Sequence, residues 1–200
     1  QRRFEVYIDP DKEAVVTMGA KEGLSHLAMA MLSPGDVVFA TDPAYPIHPF
    51  ASIIAGADVR RIPIGKGRDF FEDLMLATKQ RWPKPKLLVI CYPHNPTTEF
   101  VYLDFVQLIV DWSTAHNFWV IHALSYADLT YERYEPPSFL KADGANYLCV
   151  ELFSLTKPYY IAGWSVGLCS GNREVVHALT RIKCYLEYGI FQPIQLGALV

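Results

Sequence analysis

Lys157 is the residue of this sequence with the most specific chemical potential. It ends the string Ser154-Leu155-Thr156-Lys157, which follows an apolar run and precedes Gly163-Trp164. A lysine amine can attack a carbonyl group to form a Schiff base, and it can also act as a base. The competing interpretation is a solvated surface lysine, because most lysines are exposed. The residues around Lys157 therefore decide between the two interpretations.

Other candidate residues follow apolar runs in the same way. They are Gly19-Ala20-Lys21, Asn95, and Ala123 with Tyr126. In open α/β sheets, ligands collect at the carboxyl ends of strands and at the N-termini of the helices that follow. The sequence therefore predicts that these segments and Lys157 meet around one pocket.

Short apolar runs alternate with amphipathic segments along the chain. The runs that we interpret as strands are 14–18, 37–40, 59–62, 87–91, 118–121, 148–153 and 166–169. The stripes with helical spacing are Leu24/Leu27/Ala28/Met31, Phe105/Leu108/Ile109/Trp112 and Val175/Leu179/Ile182/Leu186. Each stripe should face a sheet. This alternation favours an α/β fold.

Three strings resemble the class I aminotransferases of fold type I, which use pyridoxal 5′-phosphate (PLP). They are Thr17-Met18-Gly19-Ala20-Lys21-Glu22-Gly23-Leu24, Asp42-Pro43-Ala44-Tyr45-Pro46-Ile47-His48 and Pro93-His94-Asn95-Pro96-Thr97-Thr98. Tyr126-Ala127-Asp128 and Tyr185-Leu186-Glu187-Tyr188-Gly189 are similar to the bacterial alanine (glutamate–pyruvate) branch, which itself is similar to LL-diaminopimelate aminotransferases. The resemblance spans nearly the whole chain.

The resemblance implies a three-layer α/β/α sandwich with a mostly parallel seven-stranded sheet. Residues 1–200 are then expected to be the PLP-binding large domain, without the family's N-terminal arm and C-terminal small domain. In relatives the small domain supplies the arginine that binds the substrate α-carboxylate. No substitute for that arginine is evident in this sequence.

The resemblance also implies a role for each candidate residue. Lys157 would be the catalytic residue that holds PLP as a Schiff base and moves a proton. Asn95 and Tyr126 would bind the cofactor's phenolic oxygen, and Tyr45 would stack on its ring. Each has a structural alternative: a turn asparagine, a core tyrosine and a packing tyrosine.

The phosphate site is expected at Ala20 and Lys21 with Ser154 opposite, where helix N–H groups and a hydroxyl can hold an anion. Ser154 is alternatively a cap at the end of a strand. Ala20 replaces the serine that is usual in this branch, and Ser165 replaces an arginine that pairs with the phosphate. A hydroxyl cannot reproduce the planar, permanently charged guanidinium. The sequence therefore predicts weaker PLP binding.

Ala123 is the largest departure from the family, which has an aspartate here to keep the pyridine nitrogen protonated. Asp128 is close in the sequence, but regular spacing does not bring it to the same nitrogen. The sequence thus supports two hypotheses. One is an aminotransferase that acts on an amino acid and a 2-oxo acid of the alanine/glutamate type, and the other is an impaired scaffold that binds PLP weakly or not at all.

The bulk properties exclude several other classes of function. The formal charge is −3, the sequence pI is about 6.1, and there is no basic run, so neither nucleic acid nor a membrane is an expected partner. The six histidines lack metal-ligand spacing, and Gly19–Gly23 is not a nucleotide-binding loop. Four scattered cysteines indicate buried thiols in a reducing cytoplasm. The resemblance implies a homodimer, with Tyr185, Tyr188, Phe191 and Pro193 either at the interface or in a connecting helix.

Overall fold

A seven-stranded sheet forms the centre of the computed structural model, which describes residues 3–80 and 82–199. The strands are β1 (Ala14–Thr17), β2 (Val37–Asp42), β3 (Asp58–Pro63), β4 (Pro85–Ile90), β5 (Trp119–Leu124), β6 (Cys149–Ser154) and β7 (Gly167–Gly171). Their spatial order is β1-β7-β6-β5-β4-β2-β3. The strands β2 to β6 pair in parallel, and β7 is antiparallel to both of its neighbours. The predicted mostly parallel sheet is confirmed.

Helices cover both faces of this sheet. They are α1 (Gly19–Met31), α2 (Ile47–Ile54), α3 (Phe70–Gln80), α4 (Leu103–His116), α5 (Ala145–Leu148), α6 (Arg173–Leu186) and α7 (Gln192–Gly197). Buried residues of α1, α2 and α6 form one hydrophobic cluster, and those of α3, α4 and α5 form another. The predicted three-layer sandwich is therefore confirmed.

The alternating direction of successive side chains along the central strands explains the two hydrophobic clusters. Val37 and Phe39 of β2 belong to the cluster under α3 and α4, whereas Val38 between them belongs to the cluster under α1. Successive side chains of a strand point to opposite faces, and a sheet covered by helices on both sides needs apolar residues on both. The continuous apolar runs in the sequence reflect this double burial.

The helical stripes were predicted largely correctly. Leu24, Leu27 and Ala28 are buried, but Leu108 is 48% exposed and Leu186 is 52% exposed. These two residues were wrongly predicted to face the sheet, because Leu108 lies at the edge of its stripe and Leu186 is the last residue of α6. The expectation of buried thiols was also wrong for Cys184, which is exposed on α6, although all four cysteines are free.

One buried ionisable pair links the end of the sheet to a loop. The Glu151 carboxylate lies 2.8 Å from His122 Nδ1 and accepts hydrogen bonds from the Ser138 hydroxyl and the Phe139 N–H. His122 Nε2 accepts a hydrogen bond from the backbone N–H of Tyr92. These contacts satisfy both buried groups, and they fix the loop that follows β5 against β6.

The chain order of the strands creates a crevice between β2 and β4. From β2 the chain continues outward to β3, and it then returns to the other side of β2 as β4. Ligands of open α/β sheets bind at such a switch point, beyond the carboxyl ends of the strands. No helix in the described ranges is long and apolar enough to cross a bilayer.

Candidate active site

A cavity of about 330 Å³ lies at the carboxyl ends of the central strands. Eight of the nine candidate residues line it: Ala20, Lys21, Tyr45, Ala123, Tyr126, Ser154, Lys157 and Ser165. The ninth, Asn95, lines a neighbouring cavity and donates a hydrogen bond to the Tyr126 hydroxyl at 2.6 Å. The fold therefore brings together residues that are up to 145 positions apart in the sequence (Ala20 to Ser165).

The start of α1 forms one side of this cavity. Its N-cap residue, Met18, offers no side-chain cap, and its backbone N–H donates to Glu22 Oε2 at 2.8 Å. Gly19 has φ +76°, and a Cβ built on it would lie 3.9 Å from the Cα of Ser165. Helix N–H groups therefore face the cavity next to position 165, in an arrangement that suits an anion.

Ser154 lies at the end of β6 and is buried. Its hydroxyl oxygen accepts a hydrogen bond from the Thr156 N–H at 3.2 Å, so it caps the strand end as the alternative interpretation proposed. A hydroxyl that accepts one bond still has its proton to donate. Capping and anion binding by Ser154 are therefore compatible.

Two amines reach the cavity beside two phenol rings. Lys157 is exposed, and its Nζ lies 6.0 Å from the centroid of the Tyr126 ring. Lys21 Nζ lies 5.4 Å from the centroid of the Tyr45 ring, and the adjacent Tyr45 hydroxyl raises the pKa of Lys21. Lys21 is therefore a cation at the α1 end of the cavity, and Lys157 is an accessible amine at its mouth.

Burial raises the pKa of Tyr126, and the hydrogen bond from Asn95 opposes that shift. The Asn95 amide donates to the phenol oxygen, and Tyr126 keeps its own proton to donate elsewhere. The phenol donor of Tyr126 thus lies in this cavity, and the Asn95 amide that contacts it lines the neighbouring one.

Neither Ala123 nor Asp128 supplies a carboxylate to this cavity. Ala123 is 3% exposed, and its methyl group lines the cavity at the end of β5. Asp128 pairs with Arg3 and lines a different cavity. Among the described residues, those that line the cavity entered by Lys157 include no aspartate, glutamate or arginine.

His48 lines the same cavity and was missed by the sequence analysis, which considered the histidines only as metal ligands. It is 4% exposed, and its Nδ1 is buried without a hydrogen-bond partner in the described part of the chain. Burial, together with the nearby His94 and His122, lowers the pKa of His48 to about 4. The sequence signal for His48 is its spacing of three residues from Tyr45, near the start of α2, which predicts that the two rings are neighbours. Their centroids lie 5.8 Å apart.

A second polar cluster joins α1 to the end of α6. Glu22, His26 and Glu187 have the geometry of possible metal ligands, but the Lys183 ammonium contacts both carboxylates and lies 3.0 Å from Glu22. Lys183 is 7% exposed, so its ammonium is a buried cation that pairs with both carboxylates and occupies the place that a metal ion would need. Because Glu22 also caps Met18, the cluster fixes the α1 start against α6.

The same architecture occurs in solved transferase structures. A probable N-succinyldiaminopimelate aminotransferase from Thermus thermophilus matches with a TM-score of 0.90 and 32% identity, over 96% of this chain and 52% of that one. The fold and the lysine at its strand ends thus define a class, the α/β major domain of fold type I aminotransferases.

The family model of aminotransferase classes I and II matches residues 2–187, so the chain belongs to this family, whose members use PLP. Glutamate-pyruvate aminotransferase AlaC of Escherichia coli K12 is 44% identical over 100% of the chain and 48% of its own length. LL-diaminopimelate aminotransferase of Dehalococcoides mccartyi BAV1 is 40% identical over 100% of the chain and 51% of its own length. The chain thus spans about half the length of the curated relatives it matches.

Proposed function

We propose that residues 1–200 are the PLP-binding large domain of an aminotransferase, with Lys157 as the residue that binds PLP covalently. The whole enzyme would move an amino group between an amino acid of the alanine/glutamate type and a 2-oxo acid. One observation carries the proposal: eight positions that match the family's cofactor site line a single cavity that Lys157 enters.

The residues fit three of the four polar parts of PLP. The α1 start, Lys21 and Ser154 suit the phosphate, because they combine helix N–H groups, a cation and a hydroxyl. The pair formed by Asn95 and Tyr126 suits the phenolic oxygen, since both can donate to it. Lys157 suits the aldehyde, because it is the accessible amine at the cavity mouth.

The residues do not fit the fourth part, the pyridine nitrogen, in the manner expected of the family. When bound, PLP supplies an electron-withdrawing ring that stabilises negative charge on a substrate carbon. A carboxylate at the ring nitrogen strengthens this effect, and Ala123 provides only a methyl group. We therefore derive the binding roles of the residues from this site and no reaction step.

Within these roles, each residue acts on PLP in a defined way. Lys21 and the α1 start hold the phosphate, Tyr45 packs beside the ring, and Tyr126 keeps a proton at the phenolic oxygen. Lys157 would hold the aldehyde of PLP through its Nζ, the atom that would also be the available base.

The second candidate function is a scaffold that retains the fold but binds PLP weakly. It is favoured because the described residues that line the cavity supply neither a carboxylate nor a guanidinium. A lost charge-assisted phosphate contact weakens binding by about 1.5 to 3 kcal/mol, or roughly ten- to a hundredfold.

The substrate class and the assembly state are separate proposals. The alanine/glutamate type is supported by the 44% identity to the Escherichia coli enzyme, and the 40% identity to LL-diaminopimelate aminotransferases makes a larger diamino acid the competing substrate. We also propose a homodimer, supported by the exposed aromatic residues Tyr185, Tyr188 and Phe191 near α6 and α7. Sedimentation of the wild type against Tyr188→Ser tests the dimer.

A trapping experiment separates the enzyme from the scaffold. The protein is incubated with PLP, freed of excess, reduced with borohydride and mapped by peptide mass spectrometry. The proposal predicts a label on Lys157 that disappears in Lys157→Ala and remains in Lys66→Ala, a change at an exposed lysine. Labels spread over surface lysines, with no preference for Lys157, would leave the scaffold as the function of this chain.

A further inference from the structure

Three buried residues form what we call the cavity floor: His48, Cys91 and Ala123. They follow or end β2, β4 and β5, the strands around the switch point. The Cys91 thiol donates to the Pro93 carbonyl oxygen at 3.3 Å, and burial raises the pKa of Cys91 to about 12. Ala123 has no polar side-chain atom. His48 is therefore the floor residue with an uncommitted polar side chain.

The other buried histidines have hydrogen-bond partners at their ring nitrogens, so an unpaired ring nitrogen is unusual in this protein. His94 contacts the Thr41 hydroxyl through Nε2 and the Thr97 hydroxyl through Nδ1. His122 contacts Glu151 and the Tyr92 backbone. Within residues 3–80 and 82–199, the fully buried Nδ1 of His48 has no such partner. Because Nδ1 is fully buried, a ligand in the cavity would contact this ring at its other nitrogen, Nε2.

The chemistry of PLP indicates which partner fits, an argument that rests on the proposed function. On the pyridine ring, the nitrogen lies opposite the carbon that carries the aldehyde. Lys157, which would bind the aldehyde, is exposed at the mouth, whereas the floor residues are at most 4% exposed. A ring held at the mouth by its aldehyde therefore presents its nitrogen toward the floor.

We propose that the His48 imidazole binds the pyridine nitrogen of PLP, in the place where the family uses a carboxylate. Neutral imidazole carries one N–H donor and one acceptor nitrogen, so it can donate to an unprotonated pyridine nitrogen. Burial and the two neighbouring histidines keep the pKa of His48 at about 4, so the ring is neutral at neutral pH. It does not supply the negative charge that keeps a pyridine nitrogen protonated.

A neutral imidazole partner would leave the pyridine nitrogen of PLP unprotonated. An unprotonated pyridine nitrogen withdraws electrons less strongly, so the site would bind PLP and yet support amino transfer slowly. The hydrogen bond from His48 would also explain how the cavity tolerates Ala123, because the pyridine nitrogen of PLP keeps one hydrogen-bond partner.

The test uses PLP labelled with ¹⁵N in its ring, bound to the protein and observed by NMR. We expect the wild type to show the shift of an unprotonated, hydrogen-bonded nitrogen. His48→Phe should move that signal to the position of a nitrogen without a hydrogen bond, and Ala123→Asp should move it to the protonated position. His177→Phe, at an exposed histidine of α6, is the control and should leave it unchanged. An identical signal in the wild type and His48→Phe would overturn the proposal.

A second measurement covers the case in which His48→Phe does not fold. Wild-type protein labelled with ¹⁵N-histidine is compared with and without PLP, and the His48 ring nitrogens should shift on loading while those of His177 do not. Unshifted His48 nitrogens in loaded protein would also overturn the proposal. Failure to label Lys157 would instead refute the proposed function, so the two failures are distinguishable.

Discussion

The side-chain amide of Asn95 donates a hydrogen bond to the phenol oxygen of Tyr126 at 2.6 Å. This contact joins the loop after β4 to the loop after β5, and it lies where the two adjacent cavities meet. Both residues were assigned to the same cofactor oxygen from the resemblance alone. The structure shows that their side chains contact each other directly.

We predict that Asn95 and Tyr126 are energetically coupled. Tyr126→Phe and Asn95→Ala should each reduce the free energy of unfolding, and a double-mutant cycle should give a coupling of about 0.5 to 1.5 kcal/mol. Urea denaturation of the four proteins measures it. Tyr131→Phe, at an exposed tyrosine, should show no coupling to Asn95, and additive effects of the first pair would refute the contact.

Ser165→Arg should strengthen PLP binding. Position 165 adjoins the α1 start, where a guanidinium would reach the anion site. The expected gain is about ten- to a hundredfold in affinity, and it should decrease at high salt. Titration with PLP, followed by absorbance, measures the gain. Ser165→Gln adds an uncharged amide donor on a shorter side chain and should not reproduce the gain; an equal gain from Gln would exclude the electrostatic explanation.

Gly167→Ala should destabilise the fold. A Cβ on Gly167 would lie 2.8 Å from the Phe153 carbonyl oxygen and 2.8 Å from Thr17 Oγ1, so the surrounding strands have to move. Overpacking of this kind typically costs about 1 to 3 kcal/mol. Thermal denaturation should show a lower Tm for Gly167→Ala and little change for Gly163→Ala, where no atom of the described residues lies within 4 Å of the added Cβ. Equal Tm values for the two variants would contradict the packing of β7 between β1 and β6.

Acid should destabilise the protein partly through His48. Its pKa is about 4 when folded, against an ordinary value of 6.5, so between these values the unfolded chain binds a proton that the folded protein does not. Stability contributed by the neutral ring is therefore complete above pH 6.5 and declines as the pH falls toward 4. Calorimetry from about pH 7 to about pH 4 should show a shallower decline of Tm for His48→Phe than for the wild type. The control His177→Phe should follow the wild type, and parallel curves for all three proteins would contradict the assigned pKa.

The fold was predictable because its strands are buried on both faces. Runs such as 87–91 and 148–153 are largely apolar, which identifies central strands, and the spacing of Leu24, Leu27 and Ala28 identifies the helix that covers them. Positions at the edge of a stripe, such as Leu108, were wrong because periodicity does not tell where a helix loses contact with the sheet. The packing of the helix on the sheet determines which positions of the stripe are buried.

The candidate site was predictable only in part. Residues that follow strands, such as Lys157 and Tyr126, are recognisable because topology brings strand ends together. His48 and Lys183 were missed. The spacing of His48 from Tyr45 indicates that the two rings are neighbours, but the burial of its unpaired Nδ1 arises only in the folded protein. The contact of Lys183 with Glu22 joins two distant segments, and spacing along the chain carries no information about it.

A crystal structure of the protein with PLP is the most direct test of the account. It should show density continuous from Lys157 Nζ to the cofactor, with the phosphate on the backbone N–H groups of Ala20 and Lys21. A cofactor bound elsewhere, or an empty cavity at saturating PLP, would contradict the assignment of this cavity as the PLP site.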